Sequence, residues 1–138
     1  MYRKSKAGFT LVELMVVAII VAILAAVAIP LMTANRKRAM ATEAQAGLGT
    51  LRTAMRVIYA QDGAYNGTNG VKSVGSLSSN TIPGVVNTDL DGRYFTNTDY
   101  SVLSVGASTY KLQCSGSRTE VSGITITLDD GGNWTGVP

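Results

Sequence analysis

The carboxylate of Glu13 is the group in this sequence with the clearest chemical requirement. It is the one charged side chain in residues 9–32, an apolar run that would form a helix of about 36 Å at ~1.5 Å per residue. Such a helix can cross the hydrocarbon core of a membrane, which is about 30 Å thick. A lone acidic side chain costs roughly 2.5–3.5 kcal/mol at the centre of such a helix, and less near its end. Glu13 therefore needs a partner.

A cut between Gly8 and Phe9 would supply that partner. The cut would free the α-amine of Phe9 about one helical turn from Glu13, at the positive end of the helix dipole. An amine and a carboxylate on one short turn pair imperfectly, so the amine of a neighbouring copy in an apolar environment is the better partner. The cut would also remove a basic head, formed by Arg3, Lys4 and Lys6. The arrangement predicts self-association, with Glu13 setting the register between copies.

The run Gly8-Phe9-Thr10-Leu11-Val12-Glu13, followed by an apolar helix, resembles the prepilin cleavage and methylation motif of type IV pilins and type II secretion pseudopilins. The resemblance implies that a prepilin peptidase cuts after Gly8 and methylates the new amine of Phe9. It also implies that Glu13 is the assembly carboxylate. Pro30 matches the proline that is usual near the end of the apolar run in that family, so we expect it to take part in assembly.

The resemblance implies an α+β fold, in which the second half of a long N-terminal helix packs on a small antiparallel sheet. It also implies a single-pass precursor in the inner membrane, with a cytoplasmic leader, which the assembly machinery builds into a homo-oligomeric helical filament. That filament would be an extracellular pilus for adhesion, twitching motility or DNA uptake, or a periplasmic pseudopilus of type II secretion. A membrane-tethered binding domain that does not polymerise is the alternative of another class. A secretory signal peptide and an ordinary membrane anchor also remain open.

Composition argues against several other functions. The chain has 138 residues and a formal net charge of +3, but residues 9–138 carry nine basic and nine acidic side chains, so nucleic-acid binding is not supported. There is no His, and no pairing of a nucleophile with a base is evident, so we predict no catalytic residues and no enzyme. One cysteine, Cys114, allows no internal disulfide, unlike the many pilins that close a C-terminal loop with two. The pattern places Cys114 in the core as a small hydrophobe.

The sequence predicts five segments: a leader at 1–8, an apolar helix at 9–32, its amphipathic continuation at 33–62, a connecting loop at 63–99, and a sheet with a C-terminal loop at 100–138. Pro30 predicts a kink or a local opening of the helix, and Gly63 predicts its end. A short helix or strand inside the loop is left open. The stripe of the amphipathic part has helical spacing and predicts packing against the sheet; its members are Ala41, Ala44, Leu48, Leu51, Met55 and Ile58.

Alternating apolar residues predict strands at 100–105, 109–114 and 124–128, with Trp134 returning to cap the sheet. Asp129, Asp130 and Asn133 then form an oxygen-rich loop of the kind that Ca²⁺ favours. Major pseudopilins carry a calcium site in a C-terminal loop, but the spacing here matches no strict metal motif. We therefore predict a hairpin turn, with a calcium site as the weaker alternative and no other cofactor.

Overall fold

The computed structural model describes residues 8–68, 70–71, 75–77 and 82–136. The leader predicted at residues 1–8 lies outside this part of the chain, except for Gly8. The chain divides into two compact units, Met1–Asn35 and Arg36–Pro138, and each is described in its own right.

One helix, α1, spans Leu11–Asp62. In the second unit, one stripe of α1 is buried, and this stripe contains every residue that the helical spacing predicts together with Met40. The stripe is confirmed. Gly63 follows the last helical residue with a φ of +69°, and its N–H donates to the carbonyl of Tyr59 at 2.9 Å. A left-handed residue of this kind ends a helix, and glycine adopts it without strain.

The second unit contains a five-stranded antiparallel sheet whose strands follow one another in chain order. The strands are β1 (Gly75–Ser76), β2 (Tyr100–Val105), β3 (Tyr110–Ser115), β4 (Thr125–Asp129) and β5 (Trp134–Thr135). Three single turns of 3-10 helix lie between them, at Asn87–Leu90, Asn97–Asp99 and Thr119–Val121. Because every neighbouring pair is antiparallel, short loops suffice to connect β2 to β3 and β4 to β5. The predicted α+β architecture, a long helix with an antiparallel sheet, is confirmed.

The face of the sheet that packs in the core carries the alternating apolar residues of β3 and β4. Leu112, Cys114, Ile126 and Leu128 are fully buried, and Tyr110 is nearly so. Burial raises the pKa of the Cys114 thiol to about 12, with a smaller contribution from Asp99. The thiol therefore stays protonated at neutral pH, and the prediction that Cys114 acts as a small hydrophobe is confirmed.

The strand boundaries differ slightly from the sequence-based ones. The structure begins β3 at Tyr110 and β4 at Thr125, each one residue later than predicted. The connecting loop contains both kinds of element left open for it: the short β1 pairs with β2, and the 3-10 turns at Asn87–Leu90 and Asn97–Asp99 also lie within the loop. Trp134 returns to the sheet as predicted, opposite Leu128, on an edge strand where it stays 38% exposed.

Glu43 attaches the long loop to helix α1. Its Oε1 accepts hydrogen bonds from the backbone N–H groups of Tyr94 and Phe95, at 2.8 and 2.9 Å. Gly92 lies so close to this carboxylate that an added Cβ would collide with it. A charged acceptor shared by two backbone donors is stronger than a neutral hydrogen bond, so one helical side chain fixes a loop more than 40 residues further along the chain.

Asp99 is the one buried charged residue among the described residues, at 4% exposure. Its carboxylate accepts hydrogen bonds from the N–H of Ser117 at 3.0 Å and from the N–H and hydroxyl of Thr96 at 2.8 and 3.1 Å. Burial by itself raises the pKa of Asp99, but the hydrogen bonds from Ser117 and Thr96 outweigh burial and hold it below its usual range. Asp99 thus links the start of β2 to the loop between β3 and β4.

We expect this link to weaken in acid. Because the folded pKa of Asp99 is below the unfolded value of about 3.9, its contribution to stability is complete above that pH and is lost as the pH falls through the folded pKa. Asp99→Asn should lower the free energy of unfolding by about 2 kcal/mol at pH 7, the order of hydrogen bonds to a charged group. Urea unfolding of the detergent-solubilised chain, followed by Trp134 fluorescence at pH 7 and pH 3, measures this. An equal loss at both values would contradict the assignment.

Candidate assembly site

The start of α1 is closed by Thr10 and Glu13. The helix begins at Leu11, so Thr10 is its N-cap and Glu13 its third residue. The hydroxyl of Thr10 accepts from the N–H of Glu13 at 3.2 Å, while Oε2 of Glu13 accepts from the N–H and hydroxyl of Thr10, both at 2.8 Å. This reciprocal arrangement is a capping box.

The capping box gives Glu13 hydrogen-bond donors within its own chain. A carboxylate that accepts two hydrogen bonds at a helix N-terminus is stabilised by them and by the helix dipole. The cost of placing Glu13 in an apolar environment therefore falls before any neighbour is present. Sequence reasoning concentrated on a partner from another copy and missed Thr10, although Thr10-x-x-Glu13 before an apolar run is the sequence signature of this cap.

The bond between Gly8 and Phe9 lies outside the helix and is accessible. Both residues precede the first helical residue, and the side chain of Phe9 is 84% exposed. Among the described residues, and apart from Gly8 and its chain neighbours, no atom lies within 4 Å of the position that a Cβ on Gly8 would take. Exposed, non-helical backbone is the preferred substrate of proteolysis, so the geometry is compatible with a cut at this bond. Cleavage, methylation of Phe9 and pairing of Glu13 with a neighbour remain predictions.

The apolar part of α1 exposes its large side chains over its whole circumference. From Leu11 to Met32 they are each at least 50% exposed in the single chain. The helix is long and apolar enough to cross a membrane by length and composition. Side chains of this kind need lipid or other protein around them, because an exposed apolar surface of this size is unfavourable in water.

Pro30 lies within α1, and the helix continues through it without interruption. The sequence predicts a kink or a local opening of the helix at Pro30, and the local opening is absent. Proline removes one hydrogen bond, that to the carbonyl of Ala26, and a long helix retains its bonds on both sides of the gap. The predicted role of Pro30 in assembly is untouched by this observation and stays a prediction.

Asp129, Asp130 and Asn133 lie in the turn between β4 and β5. The carboxylate of Asp129 accepts from the backbone N–H of Asn133 at 2.8 Å and from its amide nitrogen at 3.0 and 3.2 Å. The hydrogen bonds from Asn133 are the main reason that the pKa of Asp129 is lowered. The donor end of the Asn133 amide thus faces Asp129, as in a closed hairpin turn and not as in a set of oxygen ligands. No group of three or more His, Cys, Asp or Glu side chains is gathered anywhere in the described part of the chain. The hairpin turn is confirmed, and the calcium site stays a prediction.

Comparisons with known proteins found a similar solved structure and a matching family model. A crystal structure of PilV, a non-core minor pilin of Neisseria meningitidis, is similar to 74% of this chain over 87% of its own length, at 19% identity and a TM-score of 0.49. Residues 3–29 match a family model described as the prokaryotic N-terminal methylation motif. The matched stretch contains the accessible bond, the capping box and most of the apolar helix, so the amino-terminal segment of this chain carries the prokaryotic N-terminal methylation motif.

Proposed function

We propose that this chain is a structural subunit of a helical filament of the type IV pilin or pseudopilin kind. The observation that carries the proposal is the combination, in residues 8–32, of the methylation motif, an accessible bond after Gly8 and a helix with apolar side chains exposed on every side. Each part has an obvious use in assembly. The motif directs processing, and the apolar helices bury one another when copies associate.

Assembly would proceed in three steps. The precursor enters the inner membrane through its apolar helix, with Glu13 held by the hydrogen bonds of its own capping box. The prepilin peptidase cuts after Gly8 and methylates the Phe9 amine, which removes the basic leader. The assembly machinery then extracts the subunit, and the carboxylate of Glu13 takes the Phe9 amine of a neighbouring copy as its partner. A positive amine and a carboxylate attract strongly where water is excluded.

The N-terminus of filament subunits tests this proposal. We expect the mass of the subunit from purified filaments to correspond to residues 9–138 with one methyl group on the amine. Gly8→Val should retain residues 1–8 and yield no filaments. Because the structure leaves open space at the Gly8 Cβ position, this substitution should not disturb the fold, so its effect would report on processing. Filament subunits that begin at Met1, or dispersed chains in wild-type cells, would contradict the proposal and favour a membrane-tethered domain.

The location of the filaments separates the finer possibilities. Filaments sheared from the cell surface would identify a pilus, for which adhesion, twitching motility and DNA uptake are the candidate roles. Filaments confined to the periplasm would identify a pseudopilus, and calcium binding that is lost in Asp129→Ala would support the same conclusion. We favour the pilus, because hydrogen bonds from Asn133 already occupy both carboxylate oxygens of Asp129.

A further inference from the structure

Three consecutive cations follow the apolar part of α1 and form what we call the basic run: Arg36, Lys37 and Arg38. All three side chains are exposed. Within the part of the chain that the structure describes, none of them makes a hydrogen bond or an ion pair. While the apolar helix lies in a membrane, lipid headgroups can supply the counter-charge of the basic run. Once the subunit has left the membrane, an acidic surface of another copy can take the place of the headgroups, in competition with water and small counter-ions.

The same unit of the chain carries a groove of about 170 Å³ with an acidic rim, which we call the acidic groove. Among the residues that the structure describes, three carboxylates line it, those of Glu43, Asp89 and Asp91, and no cationic side chain does. Backbone N–H groups hold the carboxylates of Asp89 and Asp91 in place, at 3.1 Å from Val86 and 3.0 Å from Asn97. Asp89 and Asp91 are exposed, so the groove presents fixed negative charge to whatever packs against it.

The spacing of the two charged surfaces fits a second copy of this chain. Lys37 precedes Glu43 by six residues of α1, an axial distance of about 9 Å at ~1.5 Å per residue. A parallel copy displaced by that amount toward the C-terminus would bring its Lys37 level with Glu43, at the N-terminal edge of the acidic groove. The basic run of one copy and the acidic groove of the next are therefore complementary in charge and in axial position.

We propose that in the filament the basic run of each copy docks on the acidic groove of a neighbouring copy, displaced by about 9 Å along the helix. This inference rests on the proposed filament function and names the interface that fixes its register. An interface between two different surfaces of the same chain repeats without closing, as a helical filament requires. Complementary charge of this kind contributes more to register and specificity than to affinity.

Cross-linking between copies tests the contact directly. Chains with Lys37→Cys and chains with Asp91→Cys, carrying tags of different size, are produced together, and sheared filaments are treated with a short bismaleimide linker. We expect covalent dimers that contain both tags. The linker is needed because a direct disulfide requires the two Cα atoms to lie within about 7 Å, and a lysine reaches an aspartate over a longer distance. Asp89→Cys replaces Asp91→Cys if the latter variant fails to fold. Cys114 is buried and does not compete.

The matched control pairs Lys37→Cys with Glu120→Cys, an exposed acidic position outside the acidic groove. Dimers that exceed those of the control support the interface. Dimers no more abundant than in the control overturn it. Wild-type chains that form no filaments overturn the proposed function as well, so the two failures are distinguishable.

Charge reversal supplies a second readout in the full chain. Lys37→Glu and Asp91→Lys should each raise the subunit concentration needed for filament growth about threefold to tenfold at low salt, and the double variant should recover most of this loss. Failure of the double variant to recover would overturn the interface. Unchanged filament content in Lys37→Glu, together with reduced binding to vesicles of phosphatidylethanolamine and phosphatidylglycerol, would assign the basic run to lipid and also overturn it.

Discussion

Glu13→Gln is expected to abolish filaments while the chain still enters the membrane. Glutamine keeps the capping box, because its side-chain carbonyl can accept the same hydrogen bonds from Thr10. What glutamine removes is the negative charge. If Glu13 pairs with the Phe9 amine of a neighbour, the variant leaves that amine charged and unpaired between apolar helices, at a cost of about 3–5 kcal/mol per subunit contact. That energy corresponds to roughly 150-fold to 4,000-fold weaker association.

The measurement is the yield of sheared filaments relative to the amount of subunit in the membrane fraction. Thr10→Ala is the matched control, because it removes the hydroxyl of the cap and keeps the carboxylate. We expect Thr10→Ala to cost about 1 kcal/mol of helix stability and to reduce filaments moderately. If Glu13→Gln instead gave normal filaments and Thr10→Ala gave none, Glu13 would be a capping residue, and the register of the filament would have another origin.

The parts of the fold that the sequence reveals are those in which one residue type repeats with the period of the element. The buried stripe of α1 has a spacing of three and four residues, and the strands alternate polar and apolar side chains. Each pattern reports directly which face is buried, because the periods of helix and strand differ. The methylation motif was visible for another reason, since it lies within a short continuous stretch of chain.

The polar contacts that hold the second unit together could not be found in this way. Glu43 binds the backbone of Tyr94 and Phe95, which lie 51 and 52 positions further along the chain. Nothing in the sequence around Glu43 indicates these distant partners. Two of the groups that donate to Asp99 belong to Thr96, which is close to it in sequence. The third, the N–H of Ser117, comes close only because the hairpin of β2 and β3 folds back. Both residues read as ordinary surface acids until the chain is folded. The capping box of Thr10 and Glu13 is different, because its Thr-x-x-Glu signature is local and visible in the sequence. It was missed because the prepilin motif around it already gave Glu13 another role.

From the sequence, Gly47 and Gly49 are both expected to weaken helix α1. The structure predicts instead that replacing them with alanine has opposite effects on stability. Both lie inside α1, where glycine costs about 1 kcal/mol relative to alanine. Beyond the neighbouring residues and the backbone of the helix itself, no atom of the described residues lies within 4 Å of a Cβ added at Gly49. A Cβ added at Gly47 would collide with the hydroxyl of Tyr100 and would lie 2.5 Å and 2.7 Å from two carbons of its ring. Gly47 is therefore required so that this ring can approach the helix backbone.

We expect Gly47→Ala to lower the free energy of unfolding by about 2 kcal/mol, since overpacking of up to about 3 kcal/mol exceeds the gain in helix propensity. The ring of Tyr100 cannot move away easily, because the residue is 1% exposed at the start of β2. Gly49→Ala should instead raise the free energy of unfolding by about 0.5–1 kcal/mol. Urea unfolding of both variants, followed by Trp134 fluorescence in the same detergent, compares them with the parent chain.

A third variant attributes the effect to the contact itself. Tyr100→Phe removes the hydroxyl oxygen, the nearest atom to the added Cβ, and leaves the ring in place. In a double-mutant cycle, Gly47→Ala should therefore cost less in the Tyr100→Phe background than in the parent chain, with a coupling of about 1 kcal/mol. Equal costs in both backgrounds, or a Gly47→Ala variant as stable as Gly49→Ala, would show that the helix and β2 do not approach each other as closely as the structure places them.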